Sequence, residues 1–381
     1  MGRGALAQPN RTFGDTCVNG SRLEPGQSPT ISALMFSAGV LGNLLALALL
    51  EGRRRRSRAP TSLFHVLVTG LVVTDLLGTC LISPVVLLSY GRDLTLLALA
   101  GGRGLCHYFA YAMTFFSLAT LLLLFAMALE RCLAIGHPYL YERMVTRRSG
   151  LVAFPLLYAF CFVFCSFPVL GIGEYVQYCP GTWCFINIKH GDKASLATGF
   201  SLVYATLLLA LIVSVLVCNL VVITNLVLMH RRQKTRRLGS LTGSRKHRVS
   251  MSEETDHLIL LSLMTIIFVI CSLPFTIRVY VNKIYHEDNY KLDLLALRFL
   301  SLNSIIDPWV FTILRPSVLR LMRSALCCQC SLRKEDTMQT VSVARQIATR
   351  KLTSMDSGYG SSHKRHLEEL NNLDRQDNVE I

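Results

Sequence analysis

The feature that most constrains this chain is a series of seven long apolar stretches. Each reaches the roughly 20 residues that an α-helix needs to cross the ~30 Å hydrocarbon layer of a membrane. Of the 381 residues, 51% are hydrophobic and 17% are charged, so lipid must solvate much of the surface. We place the spans at residues 30–50, 62–90, 107–136, 150–172, 198–229, 256–282 and 292–314.

The stretches predict an all-α membrane protein built as a seven-transmembrane helix bundle. The bundle, with a short amphipathic helix after the seventh span, would occupy residues 30–326 and leave no room for a second folded domain. Segment 1–29 lacks the apolar core of a signal peptide, so we expect the first span to direct insertion. The polar tail at 327–381 is expected to be mostly disordered. The polar, basic connection at 233–252 predicts a mobile loop.

Basic residues are concentrated in every second connection between these spans. Clusters of Arg and Lys fall at 53–58, 143–148 and 231–248, and the net charge is +15. Such alternation follows the positive-inside rule, which places the N-terminus outside the cell and the C-terminal tail in the cytosol. It favours contact with anionic lipid over a nucleic-acid partner as the reason for the positive charge.

The segment predicted to lie outside contains two glycosylation sequons, Asn10-Arg11-Thr12 and Asn19-Gly20-Ser21. Three-residue matches also arise by chance, but two in one short outward segment favour glycosylation of Asn10 and Asn19.

Four cysteines fall on the predicted outer side. They are Cys17, Cys106, Cys179 and Cys184. An oxidising compartment favours two disulfides among them, and the sequence allows three pairings.

A short amphipathic helix is predicted at 316–326, directly after the seventh span. Its proline suits a first helical position, and its apolar residues share one face, as in a helix that lies at the inner membrane surface. Cys327, Cys328 and Cys330 follow at once. They are either palmitoylation sites or plain reduced thiols.

Several polar residues lie where lipid should exclude them, and each calls for a partner, a water-filled pocket or a function. Asn43, Asp75 and Asp307 fall in the first, second and seventh spans. They would form either a buried hydrogen-bonded cluster that ties the helices together or an ion- or water-linked switch. Glu130 and Arg131, at the inner end of the third span, can be an ordinary interfacial pair.

Arg298 lies near the outer end of the seventh span, among leucines and a phenylalanine. The next acidic residue along the helix, Asp307, comes nine positions later, about 13 Å along the axis and too far for a local salt bridge. A guanidinium in an apolar cavity holds a carboxylate well through two parallel hydrogen bonds. We therefore favour a ligand's carboxylate over a structural partner for Arg298.

Motifs in five spans, taken in chain order, resemble the rhodopsin-like G-protein-coupled receptors. They are Gly42-Asn43, Thr74-Asp75-Leu76, Glu130-Arg131-Cys132, Ser272-Leu273-Pro274 and Asp307-Pro308-Trp309. Three residues depart from the commoner pattern, because Glu130 replaces an Asp, Asp307 replaces an Asn, and Ser272 replaces a Trp. These departures, together with the outer-loop segment 177–185 and the segment 297–301, resemble the prostanoid receptors within that group.

Within the prostanoid receptors, segments 113–120 and 254–261 are most similar to the Gs-coupled branch that binds prostaglandin E2. The prostacyclin and prostaglandin D2 receptors are the alternatives. The resemblance implies prostaglandin E2 or a related acidic lipid as the ligand. It also implies a heterotrimeric G protein, Gs, as the partner that raises cyclic AMP, and receptor kinases and arrestin as further partners.

The resemblance also implies roles for individual residues. Arg298 would bind the ligand's carboxylate with help from Thr182 and Tyr90, while Thr79 and Ser301 would contact ring or chain oxygens. The residues that would face the fatty chains are Met113, Phe116 and Ser117. For the first two of these, simple helix packing is the alternative.

The same resemblance implies a switch that couples to the G protein, and a disulfide pattern. The switch residues are Glu130, Arg131, Asp75, Asn43, Asp307 and Pro308. The disulfide pairs are Cys106 with Cys184 and Cys17 with Cys179. Ligand binding would shift the population toward an arrangement that the ligand binds more tightly.

Two other classes of protein are disfavoured by the sequence. A transporter would show internal repeats with interrupted spans, and a membrane enzyme would show a motif such as His-Glu-x-x-His; we find neither. We predict no enzymatic activity, no cofactor and no metal. The third span has no acidic residue near Met113, which disfavours a cationic amine as the ligand.

Overall fold

The computed structural model describes residues 20–23, 26, 28–56, 62–145, 147–188, 196–237, 245–285 and 289–313. The helices are α1 (Thr30–Arg56), α2 (Leu63–Arg92), α3 (Leu96–Leu99), α4 (Gly104–Gly136), α5 (Pro138–Met144), α6 (Arg147–Ser166), α7 (Leu196–Arg237), α8 (Arg245–Tyr285) and α9 (Tyr290–Ile313). The two strands are β1 (Tyr175–Tyr178) and β2 (Trp183–Ile186).

Seven of the helices form a membrane bundle, as predicted. The helices α1, α2, α4, α7, α8 and α9 pack in that order into a closed ring, and α6 packs outside it against α4 and α2. Among the described residues, five helices are long and apolar enough to span a membrane, and α6 contributes a shorter apolar stretch, Val152–Ser166. The seventh helix of the bundle is α9. It includes Asp293, Arg298 and Asp307, which make it more polar than the five apolar helices.

The bundle buries polar side chains and exposes apolar ones, the reverse of a soluble domain. Asn43, Asp75 and Asp307 are each at most 1% exposed, whereas Leu34 and Leu156 are each 65% exposed. Lipid tails can solvate the leucines but cannot satisfy a carboxylate or an amide. The distribution therefore fits a bundle whose outer surface meets hydrocarbon.

The fourth span ends earlier than predicted. Helix α6 stops at Ser166, although the apolar stretch had been placed as far as residue 172. Pro168 disfavours helical backbone in the residue before it. Beyond it, Gly171 and Gly173 adopt positive φ angles of 90° and 128°, which only glycine adopts easily. The apolar residues after Ser166 thus belong to a turn.

The connection between the fifth and sixth spans is shorter than predicted. Helix α7 continues to Arg237 and α8 begins at Arg245, so both helices extend into the segment 233–252 that we had expected to be a loop. Arg, Lys and Glu are good helix formers, so a helix can continue into water after its apolar stretch has ended. Hydropathy located the membrane crossings but not the helix ends.

The helical bundle also carries a short antiparallel hairpin of β1 and β2 that was not predicted. Tyr175 pairs with Ile186, and Tyr178 pairs with Trp183. A disulfide joins Cys184 in β2 to Cys106 near the start of α4, with the two Cα atoms 5.4 Å apart. This pairing is the one implied by the resemblance. We call this side of the bundle the disulfide end and the opposite side the Arg131 end.

The segment before α1 and the start of α3 are bound to the hairpin at the disulfide end. The Thr95 hydroxyl donates to the Gly20 carbonyl at 2.8 Å, and the Thr95 amide donates to the Ser21 carbonyl at 3.1 Å. The Leu96 amide donates to the Gly181 carbonyl in the hairpin turn at 2.9 Å. Three separate parts of the chain thus meet here.

Several predicted features lie outside the described residues. They are Asn10, Asn19, Cys17, the amphipathic helix at 316–326, and the cysteines Cys327, Cys328 and Cys330. Cys179 is disulfide-bonded, and its partner also lies outside the described residues, so the pairing with Cys17 stays a prediction.

The contact between α1 and α9 at Gly42 gives a test of the packing. A Cβ added at Gly42 would lie 2.6 Å from Trp309 Nε1, the atom that donates to the Ala38 carbonyl at 3.1 Å. We expect Gly42→Ala to displace the indole and to cost about 1–3 kcal/mol, which lowers the thermal unfolding midpoint of the purified protein by several degrees.

Gly52→Ala, in the same helix, is the matched control. A Cβ there meets nothing within 4 Å, and alanine is the better helix former. Equal unfolding midpoints for the two variants would contradict the predicted close packing at Gly42.

Candidate ligand-binding site and switch residues

A cleft lies among α1, α2, α4, α9 and the hairpin. The space between the atoms that line the cleft is about 650 Å³, a volume that includes space open to the surroundings. The lining residues are Ser32, Met35, Asp75, Gly78, Thr79, Ile82, Ser83, Val86, Met113, Phe116, Ser117, Trp183, Ser301, Ser304 and Ile305. Most of them are apolar or carry a single hydroxyl group, which suits a ligand that is largely hydrocarbon.

Helical spacing explains which residues reach the cleft. On α2, Thr79, Ile82, Ser83 and Val86 follow Asp75 at intervals of three, four or one residues, so all five lie on one helix face. On α4 and α9 the lining residues show the same spacing. A periodicity count starting from Asp75 would have found the α2 residues, which the sequence analysis had not assigned to the site apart from Thr79.

Five of the eight residues predicted to bind ligand line this cleft. They are Thr79, Met113, Phe116, Ser117 and Ser301. Trp183 also lines it, although the sequence analysis treated this residue only as part of a motif. Its position depends on the hairpin and on the Cys106–Cys184 bond, because these bring β2 over the bundle.

The other three predicted residues lie beside the lining residues, toward the disulfide end. Tyr90 follows Val86 by one turn of α2, and Arg298 precedes Ser301 by one turn of α9. Thr182 directly precedes Trp183 and is fully buried, and its hydroxyl has no hydrogen-bond partner among the described residues. A donor buried without a partner costs roughly 1–3 kcal/mol, a cost that a hydrogen bond to a ligand would remove.

Arg298 differs from Arg278, the other partly buried arginine near this end of the bundle. Arg278 on α8 forms a salt bridge with Asp293 on α9 at 2.9 Å, and the Asn282 amide also donates to Asp293 at 3.0 Å. Arg298 is only partly exposed and forms no salt bridge or hydrogen bond with any residue that the structure describes. Its guanidinium is therefore available to an anion, while that of Arg278 is already paired.

The Arg278–Asp293 pair was not predicted from the sequence. Asp307 is the next acidic residue after Arg298 along α9, but Asp293 lies only five positions before Arg298. The partner of Asp293 is on another helix, so spacing within α9 gave no signal. The one available signal was that Arg278 lies near the end of α8 and the oppositely charged Asp293 lies near the start of α9, the next helix.

Buried polar residues of α2, α4 and α9 form a cluster next to the cleft, on the side toward the Arg131 end. Thr120 donates to Asp75 Oδ1 at 2.7 Å, and Asp307 lies close enough to Asp75 for the two carboxyl groups to interact. Asn303 donates to the Ser272 hydroxyl at 2.9 Å, a contact that a Trp at position 272 would not make. Asp75 also lines the cleft, so a ligand there is in contact with the cluster.

Two interpretations of these residues were open from the sequence, a hydrogen-bonded cluster that ties the helices together and an ion- or water-linked switch. The cluster ties helices together, since the Asn43 amide also donates to the Ser304 carbonyl at 3.1 Å. Yet Asp75 Oδ2 and both Asp307 carboxylate oxygens have no hydrogen-bond partner among the described residues. Buried acceptors without partners are costly, so a water or an ion at these oxygens would stabilise the cluster, and the role of the cluster as a switch stays a prediction.

At the Arg131 end, Arg131 has two partners. Its Nε lies 3.2 Å from Glu130 Oε2, and its guanidinium carbon lies 3.8 Å from the centre of the Phe64 ring on α2. The Tyr141 hydroxyl on α5 donates to Glu130 Oε1 at 2.8 Å. Burial, and then the hydrogen bond to Glu130, raise the pKa of Tyr141 to about 12, so this donor keeps its proton throughout the physiological range.

The comparison with known families defines the class of protein. Residues 42–311 match the family described as 7 transmembrane receptor (rhodopsin family), which covers more than half of the chain. The chain belongs to this family, so it is a receptor and not an enzyme or a transporter.

Within this family, the chain is similar to receptors named for prostaglandins. The chain is 60% identical to the human protein named prostaglandin E2 receptor EP2 subtype, over 87% of this chain and 95% of that protein. The mouse protein of the same name is 58% identical, over 90% of this chain and 96% of its own length. The human prostacyclin receptor is 47% identical, over 83% of this chain and 80% of that protein.

The fold also resembles that of a solved structure. The crystal structure of squid rhodopsin superimposes with a TM-score of 0.64, over 78% of this chain and 83% of that one, at 13% identity. At this level of identity the likeness supports the seven-helix fold alone.

The Tyr141–Glu130 hydrogen bond predicts a signalling phenotype. Because Tyr141 restrains the carboxylate that pairs with Arg131, we expect Tyr141→Phe to release Arg131 more readily. A loss of about 1 kcal/mol corresponds to a rise of roughly fivefold in ligand-independent nucleotide exchange by a G protein in membranes.

Tyr139→Phe is the control, since Tyr139 lies on the same short helix and is 77% exposed. An equal rise in both variants, or none in Tyr141→Phe, would show that the hydrogen bond does not hold the resting state.

Proposed function

We propose that this chain is a receptor for prostaglandin E2 that couples to Gs and raises cyclic AMP. The observation that carries the proposal is the guanidinium of Arg298, which lies next to a largely apolar cleft and has no salt-bridge partner among the described residues. Relatives named as prostaglandin E2 receptors are 58–60% identical to this chain, whereas the prostacyclin receptors are 47–49% identical. The difference supports prostaglandin E2 over prostacyclin as the ligand.

The chemistry of the site suits an acidic lipid. Arg298 can hold a carboxylate through two parallel hydrogen bonds, and Thr182 and Tyr90 are the nearby hydroxyl groups toward the same end. Thr79 and Ser301 supply donors for oxygens along the ligand. Met113 and Phe116 supply apolar surface, at about 25 cal/mol for each Å² that the hydrocarbon chains bury.

Signal transfer follows from differential binding. A ligand that prefers the active arrangement by 1.4 kcal/mol shifts the equilibrium about tenfold. The cleft reaches Asp75, and the cluster around Asp75 joins the helices that lead to the Arg131 end. Release of Arg131 from Glu130 and Phe64 would then expose a surface for the G protein, and arrestin and receptor kinases would act on the same side.

The disulfide end faces the outside of the cell in this proposal. Disulfides persist in the oxidising extracellular compartment and are rare in the cytosol. The N-terminus is then extracellular, the C-terminal tail is cytosolic, and the receptor lies in the plasma membrane. The basic clusters near the Arg131 end agree with this orientation through the positive-inside rule.

Replacement of Arg298 tests the role of the guanidinium. We expect Arg298→Ala to weaken prostaglandin E2 binding at least ~30-fold, since a lost charge pair of this kind costs about 2 kcal/mol or more. Arg298→Lys keeps the charge but not the geometry for two parallel hydrogen bonds, so its affinity should lie between those of the native receptor and Arg298→Ala. Arg103→Ala, an exposed arginine at the same end, is the control, and all variants are compared at matched surface expression.

The methyl ester of prostaglandin E2 tests the same contact from the ligand's side. The ester should bind the native receptor more weakly than the acid, and Arg298→Ala should bind the two equally, because the interaction has already been removed. Equal potency of acid and ester at the native receptor would disprove the carboxylate contact. A competition panel of prostaglandins E2, I2, D2 and F2α then identifies the ligand.

A further inference from the structure

The interface between α4 and α7 brings two reduced cysteines into contact. Cys132 directly follows Arg131 on α4, and Cys218 lies on α7. Both are unpaired thiols and neither is fully buried. The two thiols are close enough to interact, so the two sulfur atoms are neighbours across the interface.

The packing at Gly136 independently supports this pairing. A Cβ added at Gly136 would lie 3.1 Å from Asn225 Nδ2 and 3.8 Å from Val221 Cγ1, so α4 and α7 approach closely at this level. The two helices run in the same direction, because both begin at the disulfide end. One turn back from Gly136 is Cys132, and one to two turns back from Val221 and Asn225 is Cys218.

Close helix approach is what a disulfide requires. The Cα atoms of a disulfide are separated by about 4.4–6.8 Å, which helices reach only where small side chains separate them. Among the other described free thiols, Cys161, Cys165 and Cys271 are buried, and Cys80 is exposed. Cys132 and Cys218 are therefore a partly accessible pair on two different helices.

We propose that Cys132 and Cys218 are an oxidative modification site, where hydrogen peroxide forms a disulfide that ties α4 to α7 beside Arg131. One thiolate attacks a peroxide oxygen, which releases hydroxide and leaves a sulfenic acid. The second thiol then attacks the sulfenic sulfur, and the S–S bond forms as water leaves. In balance, two thiols and one hydrogen peroxide give one disulfide and two waters.

The consequence for signalling rests on the proposed function. The disulfide fixes α4 and α7 in the arrangement described above, directly next to the residue that has to be released for coupling. Oxidation then lowers the maximal response to the ligand without removing the ligand site, which lies toward the opposite end. Reduction of the bond restores the response.

The cross-link is tested in the full-length receptor without any ligand. A protease site placed within residues 189–195 divides the chain between Cys132 and Cys218, and it leaves Cys106 and Cys184 on one fragment. Membranes are treated with hydrogen peroxide, thiols are blocked, the chain is cleaved, and the fragments are separated without reductant. We expect the two fragments to remain joined and to separate after addition of dithiothreitol.

Serine variants identify the sulfur atoms. Cys132→Ser and Cys218→Ser should each abolish the joined species, and Cys80→Ser should not affect it. Separated fragments from the oxidised native chain would overturn the proposal. A joined species that persists in Cys132→Ser would also overturn it, since another pair would then be reacting.

The effect on signalling is measured separately. In cells treated with peroxide, the maximal cyclic AMP response of the native receptor should fall, while Cys132→Ser and Cys218→Ser should keep theirs. An unchanged response in cells where the fragments are joined would overturn the inhibitory role. Failure of the proposed ligand would instead leave every receptor silent, with the cross-link intact, so the two failures are distinguishable.

Discussion

The hydrocarbon layer of the membrane imposes the constraint on which the rest of this structure depends. It offers no hydrogen bonds, so the backbone must satisfy itself in helices and every polar side chain must turn inward. Leucines such as Leu34 and Leu156 cover the outside, and Asp75, Asp307 and Asn43 are gathered inside. The same constraint that forces these groups together also produces a polar cluster in which several carboxylate oxygens have no hydrogen-bond partner among the described residues.

The ligand-binding cleft depends on a second feature, the hairpin at the disulfide end. The Cys106–Cys184 bond joins β2 to α4, which brings Trp183 to the cleft and buries Thr182 beside it. The Arg278–Asp293 pair holds α8 to α9 and neutralises one of the two partly buried arginines near that end. Arg298 forms no salt bridge with any residue that the structure describes, and in the proposed function this asymmetry gives the cleft its preference for an acid.

Much of this was predictable from the chain alone. Seven apolar stretches gave the bundle, and the cost of burying Arg298 in the seventh span marked it as a candidate for ligand binding. Family resemblance indicated the Cys106–Cys184 pair. The hairpin, the Arg278–Asp293 salt bridge and the contact of Arg131 with Phe64 were missed, because in each case the partners come from separate parts of the chain and leave no periodic signal.

The sequence by itself determined which segments cross the membrane, since hydropathy acts locally and twenty apolar residues are enough to define a span. It also determined which polar residues had to be accommodated inside. Only the tertiary structure decided which of these residues pair, as Arg278 does with Asp293, and which, like Arg298, form no salt bridge within the described part of the chain. Pairing requires two side chains to meet across helices, and that depends on the rotation and end point of each helix, which hydropathy does not specify.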